Sequence, residues 1–306
     1  MGIFCCIVEG MKIHVVCGGT SSEREVSLRS GNAVADALKK AGHEVTLLDV
    51  DAPDNQLRDC AIVFPVLHGS GGEDGTFQLR LEQLGLKYVG SDAKSSKLCM
   101  DKTAYRTFMM QEGFLMPGGV TVTYEEYLSH PYSTQLHVLK PVNGGSSIDT
   151  VLIRDETNRY ENIIPDVFAR NHQMILEQLI QGVELTIGVL GEQALPVIEI
   201  IPPTGGEFDY ENKYNGATQE LIPPIHADEA IQQKAQDIAL HAHIAAGCRD
   251  FSRSDFIVSD DGKCYLLETN TIPGLTNQSL FPKMAQAAGF DMPTLCDNLV
   301  QMAARH

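Results

Sequence analysis

The chain has 306 residues, beyond the ~250–300 at which single cores usually stop growing, so two or three domains are expected. Its residues are 43% hydrophobic and 21% charged, as in ordinary soluble globular proteins, and no apolar run approaches the ~18 residues of a membrane span. A formal net charge of −17 argues against nucleic acid as a main partner, which needs a basic face, but leaves room for a nucleotide, which needs only a few local cations and a metal.

The opening Met1–Gly10 (MGIFCCIVEG) lacks the basic n-region and long apolar h-region of a secretory signal. It also fails the myristoylation pattern, because Cys6 stands where Ser or Thr is needed. Residues 1–10 read as an extension, with Met11 beginning the folded part. The eight cysteines (5, 6, 17, 60, 99, 248, 264 and 296) form no Cys-x-x-Cys pair, and several lie in apolar runs. They read as reduced thiols of a cytoplasmic protein.

Lys12–Cys17 (KIHVVC) is a short apolar strand followed by Gly18-Gly19-Thr20-Ser21. Ser22-Glu23-Arg24-Glu25 matches a capping box, with Ser22 as N-cap and Glu25 three residues on. The helix it opens carries Val34, Leu38 and Ala41 on one stripe and ends near Gly42. Glu44–Val50 and Ala61–His68 are further strands, so the start predicts a parallel α/β sheet, with ligands beyond the carboxyl ends of its strands. Gly18-Gly19 and His68–Gly75 (HGSGGEDG) both lie at such ends and bring Glu23, His68, Glu73 and Asp74 to one edge. Two converging loops favour a binding site over ordinary turns, although the helix dipole alone explains Glu23.

A new section begins near Ser91, with a helix predicted over Lys97–Glu112 and strands at Val120–Thr123 and His137–Val142, the latter carrying Lys140. Asn143–Ser147 (NGGSS) offers hydroxyls and backbone N–H groups to a phosphate, but no P-loop Gly-Lys follows, and alone it reads better as a hairpin turn. Met174–Ile180 is a strand, Glu184 opens the next, and Leu195–Ile201 is another. Pro202–Pro224 is a long irregular stretch holding Asp209, Lys213 and Tyr214; loops that long are usually functional or mobile. Helices are predicted over Asp228–Ala246 and Asp291–Arg305.

Between those helices lies Arg253–Gly274 (RSDFIVSDDGKCYLLETNTIPG), which reads as a hairpin with Asp261-Gly262 as a type I′ turn. That turn sets Asp255 opposite Glu268 and Arg253 opposite Asn270, and alternation puts all four side chains on one face. A four-residue loop would keep this register; a three-residue loop would break it. Three hard oxygen donors beside a guanidinium suit Mg²⁺ on a polyphosphate, and spacing alone supports an ordinary cross-strand ion pair equally well.

Four segments decide between these readings: GGTSSEREVSLRSG (Gly18–Gly31), LHGSGGEDGTFQ (Leu67–Gln78), MDK (Met100–Lys102) and LETNTIPGLTNQSL (Leu267–Leu280). In this order, over roughly positions 12–300, they resemble the D-alanine–D-alanine ligases of the ATP-grasp superfamily. The resemblance implies an α/β protein of ATP-grasp fold, with an N-terminal parallel α/β domain (11–97) and central (98–181) and C-terminal (182–306) α+β domains clamping ATP. It implies that Asp255, Glu268 and Asn270 hold two Mg²⁺ ions, or Mn²⁺, and that Arg253 and the backbone N–H of Gly274 form an oxyanion hole.

By the same resemblance Lys102 and Lys140 meet the phosphates, with Gly144–Ser147 over them, and Ser147 and Lys213 are among the nucleotide contacts. Glu177, Gln178 and the Leu179 backbone fall at the adenine hinge and Glu184 at the ribose. Glu23 takes the first D-alanine's ammonium in a network with Ser146 and Tyr214; His68, Ser279 and Leu280 surround the second D-alanine; Lys213 and Tyr214 belong to a closing loop. Relatives are commonly homodimers.

Some positions depart from the family pattern: Gln178 replaces a common lysine, Asp149 a glycine, and Asn277-Gln278 more frequent residues beside Ser279. The alternatives are a ligase joining D-alanine to D-lactate or D-serine or activating another small acid, or a nucleotide-binding module that has lost catalysis.

Overall fold

The computed structural model describes residues 10–145, 148–154, 163–202 and 218–306. The expectations placed on Ser146, Ser147, Asp209, Lys213, Tyr214, Cys5 and Cys6 lie outside the described residues.

The first sheet is parallel, in the order β2-β1-β3, from β1 (Lys12–Cys17), β2 (Glu44–Asp49) and β3 (Ile62–Pro65). Helix α1 (Arg24–Lys40) makes the crossover and buries Val34 and Leu38 completely. Ala41 is exposed rather than on that stripe, because the chain is already turning out through Gly42 at φ 94°. Ser22 is not the N-cap either: Glu23 holds that position, and no side chain caps the helix. Ser21 shapes the entry instead, its hydroxyl accepting from the Glu23 N–H (3.2 Å) and donating to the His68 carbonyl (2.6 Å). A tertiary contact between the two glycine loops thus replaces a local cap. Two short helices, α2 (Asp54–Leu57) and α3 (Thr76–Gln83), complete this part.

Two helices, α4 (Ala93–Met100) and α5 (Lys102–Gln111), stand where one was predicted. Asp101 (φ −84°, ψ 97°) ends the first and caps the second by accepting from the Ala104 N–H at 2.9 Å. Sequence periodicity runs through such a break because apolar spacing does not register a single extended residue. The break makes Lys102 the first residue of α5.

The second sheet is antiparallel, in the order β4-β7-β5-β6: β4 (Gly119–Val122), β5 (His137–Pro141), β6 (Val151–Ile153) and β7 (Met174–Gln178). Helices α6 (Tyr124–Ser129) and α7 (Ile163–Arg170) accompany it, and Tyr127, Val167 and Phe168 join Leu139 and Leu176 in its core.

The third sheet is antiparallel, in the order β11-β10-β8-β12-β13, with β9 beside β8. Its strands are β8 (Val183–Leu190), β9 (Gln193–Ala194), β10 (Ile198–Ile201), β11 (Gln219–Leu221), β12 (Phe251–Val258) and β13 (Cys264–Asn270). Strand β11 falls inside the stretch read as irregular; three residues are too few to show alternation, and pairing with β10 creates it. Helix α8 (Glu229–Ala245), capped by the Asp228 side chain, buries Ala235, Ala239 and Ala242 in the core shared with β8 and β12. The chain ends in α9 (Leu280–Ala287) and α10 (Met292–Ala303).

Helix α10 returns to the first sheet. Leu295, Cys296, Leu299 and Val300 share one core with Ile13, Val15, Val34 and Leu38, and the His43 ring lies 2.9 Å from Asp297. The two ends of the chain therefore stabilise each other through apolar burial.

His243 of α8 is buried against Ser252 (2.7 Å), and burial lowers its pKa from 6.5 to about 4. Between those values the unfolded chain takes up a proton that the folded chain refuses, so stability falls as pH drops through that window. The loss reaches roughly 3 kcal/mol for this group. Urea titrations at pH 7 and pH 4.5 should show a smaller drop for His243→Asn than for the parent; equal drops would exclude His243 as a contributor.

Candidate active site

The hairpin β12–β13 pairs Arg253 with Asn270, Ser254 with Thr269 and Asp255 with Glu268, the register alternation predicts. It reaches that register by another route. The Gly262 N–H bonds the Ser259 carbonyl (2.8 Å), the Ser259 N–H bonds the Lys263 carbonyl (3.0 Å), and only Gly262 of the loop has positive φ (74°). The turn is thus a three-residue loop, Asp260–Gly262, not type I′. Pairing near the turn runs one residue off, with Phe256 opposite Leu266 and Val258 opposite Cys264. A bulge between Asp255 and Phe256 leaves Leu267 unpaired and cancels the shift. Leu267 and Glu268 consequently both line the same cavity.

On that face Arg253 grips Asp255 with two nitrogens, Nε to Oδ1 and Nη2 to Oδ2, both at 2.9 Å. The Thr186 hydroxyl of β8 donates to Asp255 Oδ1 at 2.6 Å. Burial opposes the charge of Arg253, but Asp255, Glu268 and Glu73 more than offset it and hold its pKa above the ordinary value. Glu268 Oε2 lies 3.7 Å from Lys102 Nζ, and Asn270 Oδ1 accepts from the Ile272 N–H at 2.8 Å.

The opposite face of the hairpin is buried, apolar at Phe256, Val258, Cys264 and Leu266 but carrying hydroxyls at Ser252, Ser254 and Thr269 that sequence reasoning missed. Tyr105 of α5 lies 2.5 Å from the Thr269 hydroxyl, itself 2.8 Å from that of Ser254. This hydroxyl chain ties the helix that begins at Lys102 to the strands that carry the carboxylates. Buried serines in a strand were the available signal, since buried hydroxyls need partners.

A cavity of about 630 Å³ opens above the carboxylate-bearing face, lined by Lys102, Lys140, Glu177, Glu184, Asp255 and Glu268. Volumes of this order suit small-molecule ligands. Lys140 forms an ion pair with Glu177 (2.7 Å), whose other oxygen lies 3.6 Å from Arg106. Gln178 is exposed on the cavity lining and Leu179 follows it, their N–H groups donating to Gly118 (2.7 Å) and Leu136 (3.4 Å). Lys102 Nζ also donates to the Gly144 carbonyl, so the glycine loop meets the cavity at that lysine.

Of the remaining candidates, Glu23 and His68 lie where the glycine loops meet, and Ser279 and Leu280 stand at the entry to α9. Glu23 is 7% exposed, and its Oε2 lies 3.2 Å from where a Cβ on Gly69 would stand and 3.5 Å from one on Gly145. His68 is 6% exposed; its Nδ1 lies 3.8 Å from Glu73, and its Nε2 is buried with no partner among the described residues. Glu73 also accepts from the Gly69 N–H at 2.6 Å. Ser279 accepts from the Thr276 N–H (3.1 Å), and a Cβ on Gly274 would come within 2.8 Å of its hydroxyl, so a side chain there would displace that hydroxyl. Leu280 opens α9, mostly buried.

The donor set fits a hard divalent cation carrying phosphate. Among the described residues no group of three or more His, Cys, Asp and Glu side chains is arranged for a metal. Two carboxylates and one amide oxygen leave coordination positions for phosphate oxygens and water, as magnesium favours.

Two family models match the chain: D-ala D-ala ligase N-terminus over residues 49–91 and D-ala D-ala ligase C-terminus over residues 97–301. The D-alanine–D-alanine ligase of Sphingopyxis alaskensis is 39% identical over 95% of this chain and 97% of its own. That of Gluconobacter oxydans is 40% identical over 96% and 99%. Among solved structures, the Bacillus anthracis D-alanine–D-alanine ligase complexed with ATP superposes with TM-score 0.82 at 29% identity, covering 97% of this chain and 98% of that one. The VanG D-Ala:D-Ser ligase of Enterococcus faecalis gives 0.81 at 29%, covering 96% and 100%.

Proposed function

The chain belongs to the D-alanine–D-alanine ligase family, and on that premise we propose that it joins two D-alanines into D-alanyl-D-alanine, a peptidoglycan precursor, with conversion of ATP to ADP and phosphate. The observation that carries this reading is the face holding Arg253, Asp255, Glu268 and Asn270, with Lys102 opposite Glu268.

The first D-alanine's carboxylate attacks the γ-phosphate, giving an acyl phosphate and ADP. The second D-alanine's amine then attacks the acyl carbon, and phosphate leaves from the tetrahedral intermediate. Glu23, held where both glycine loops approach, suits the first ammonium. The Nε2 of His68, without a partner among the described residues, suits a polar group of the second substrate, for which Ser279 and Leu280 are the other candidates. Of the residues lining the cavity, Lys102 and Lys140 would take the phosphates, and Glu177, Gln178, Leu179 and Glu184 the nucleoside. Asp255, Glu268 and Asn270 are the residues to hold two magnesium ions, which supply positive charge to the phosphate oxygens when bound. Arg253 and the Gly274 N–H would stabilise the carbonyl oxygen as it gains charge.

Residues 11–97, 98–181 and 182–306 form the three units of this reading, each supported by its own sheet. No described helix is long and apolar enough to cross a membrane. The location proposed is cytoplasmic, where the six cysteines among the described residues would stay free thiols. The assembly proposed is the family's homodimer, and a single-chain mass in light scattering would refute it.

The test is coupled ADP release across D-alanine, D-serine, D-lactate and other small D-amino and D-hydroxy acids. Turnover with Mg·ATP and D-alanine alone is expected. D-serine belongs in the panel because the D-Ala:D-Ser ligase superposes nearly as well as the D-alanine ligase. Robust turnover only with D-lactate or D-serine added would overturn the dipeptide reading. No ADP release with any acid would favour the non-catalytic module.

A further inference from the structure

Asp149 stands where the family pattern has glycine, and its backbone explains why: φ is 58°, the left-handed region that side chains other than those of Asn and Asp rarely enter. Its carboxylate is held from three directions. Arg170 Nε and Nη2 reach Oδ1 at 3.0 and 2.6 Å, Nε also reaches Oδ2 at 3.3 Å, and Asn171 Nδ2 donates to Oδ2 at 2.7 Å. The Asn171 amide in turn donates to the Val167 carbonyl at 3.0 Å, so it is itself fastened to the end of α7. Val167 and Phe168 of that helix are buried in the core of the second sheet.

The neighbours of Asp149 connect this clamp to the nucleotide side. Ile148 and Thr150 line the large cavity, as do Gly144 and Gly145. Gly144 is held at the other end by Lys102. We propose that Asp149, with Arg170 and Asn171, is a positioning clamp that fixes the stem Ile148–Thr150 against the nucleotide, at a position where the family pattern has glycine. This rests on the reading that the cavity takes ATP. Arg170 also holds the Asp149 carboxyl below the usual carboxylate range, so the clamp is charged throughout the neutral pH range. An exposed ion pair alone contributes little, but a forked guanidinium contact joined by a third donor has defined geometry.

The physical consequence is a contrast of signs. Asp149→Gly removes the clamp while relieving the positive-φ backbone, which glycine accepts. Thermal stability should hold or rise, because the unfavourable φ no longer has to be imposed. The KM for ATP should increase about threefold to tenfold, since a loosened stem must be ordered on binding. The kcat and the KM for D-alanine should stay within about twofold. Arg170→Gln should reproduce the ATP effect, and the double variant should add nothing, because both changes open one clamp. Asp149→Asn, which tolerates the same φ and keeps an acceptor, should recover part of it.

A purely structural side chain gives the opposite outcome: a lowered melting temperature with an unchanged KM for ATP. That result, or effects of Asp149→Gly and Arg170→Gln that multiply, would overturn the clamp. Parent protein that releases no ADP and binds no nucleotide would instead overturn the ligase reading.

Discussion

Glu268→Ala is expected to lower kcat by about a thousandfold or more while leaving the fold intact, because it removes a proposed metal ligand at the reacting phosphate. The fold should survive for a reason visible in the hairpin. The Glu268 side chain is 36% exposed, and its ion pair with Lys102 spans 3.7 Å, too open to contribute much stability. Pairing with Asp255 runs through the backbone and does not need the carboxylate. Circular dichroism melts should therefore superpose within a few degrees, while coupled ADP release collapses and raised magnesium restores little of it. Turnover equal to the parent's would remove the metal assignment.

Arg253→Met has a different signature. The guanidinium makes two contacts to Asp255 at 2.9 Å and is only 14% exposed, so its loss strips a mostly buried carboxylate of its counter-charge. A fall in kcat of about a hundredfold to a thousandfold is expected for losing an oxyanion donor. A stability loss of about 1–3 kcal/mol should accompany it, from leaving Asp255 with one strong partner fewer. Arg253→Lys separates the two contributions. An ammonium restores charge but not the planar fork, so stability should largely return while activity stays well below the parent's. Full activity in the lysine variant would mean that Arg253 acts only as a counter-ion and touches no reacting atom.

The hairpin also shows how a register can be read correctly through a turn that was not. The Asp-Gly signal favoured a two-residue loop, and the chain made a three-residue loop with Gly262 at positive φ. The bulge at Leu267 compensates, and nothing local in CYLLETN announces it. Its effect is functional, since it turns Leu267 and Glu268 to the same side. The misplaced cap at Ser22 and the missed break at Asp101 share one cause. In each case a contact from far along the chain, His68 to Ser21 or the Val142 carbonyl to the Lys102 N–H, outweighs the local pattern.

The sequence by itself determined the residue chemistry and the one-face arrangement of Arg253, Asp255, Glu268 and Asn270. Strand alternation and hairpin closure act over a few residues, and both are written in the order of side chains. It also determined the three strand-rich sections and the motifs that mark the family. Tertiary structure alone decided which cation meets which carboxylate: Lys102 reaches Glu268, Lys140 is paired with Glu177, and Arg170 with Asp149. It decided too that α10 closes the core of the first sheet. Those partners come from elements far apart in the chain, and only the packing of sheets and helices against one another sets the distances between them.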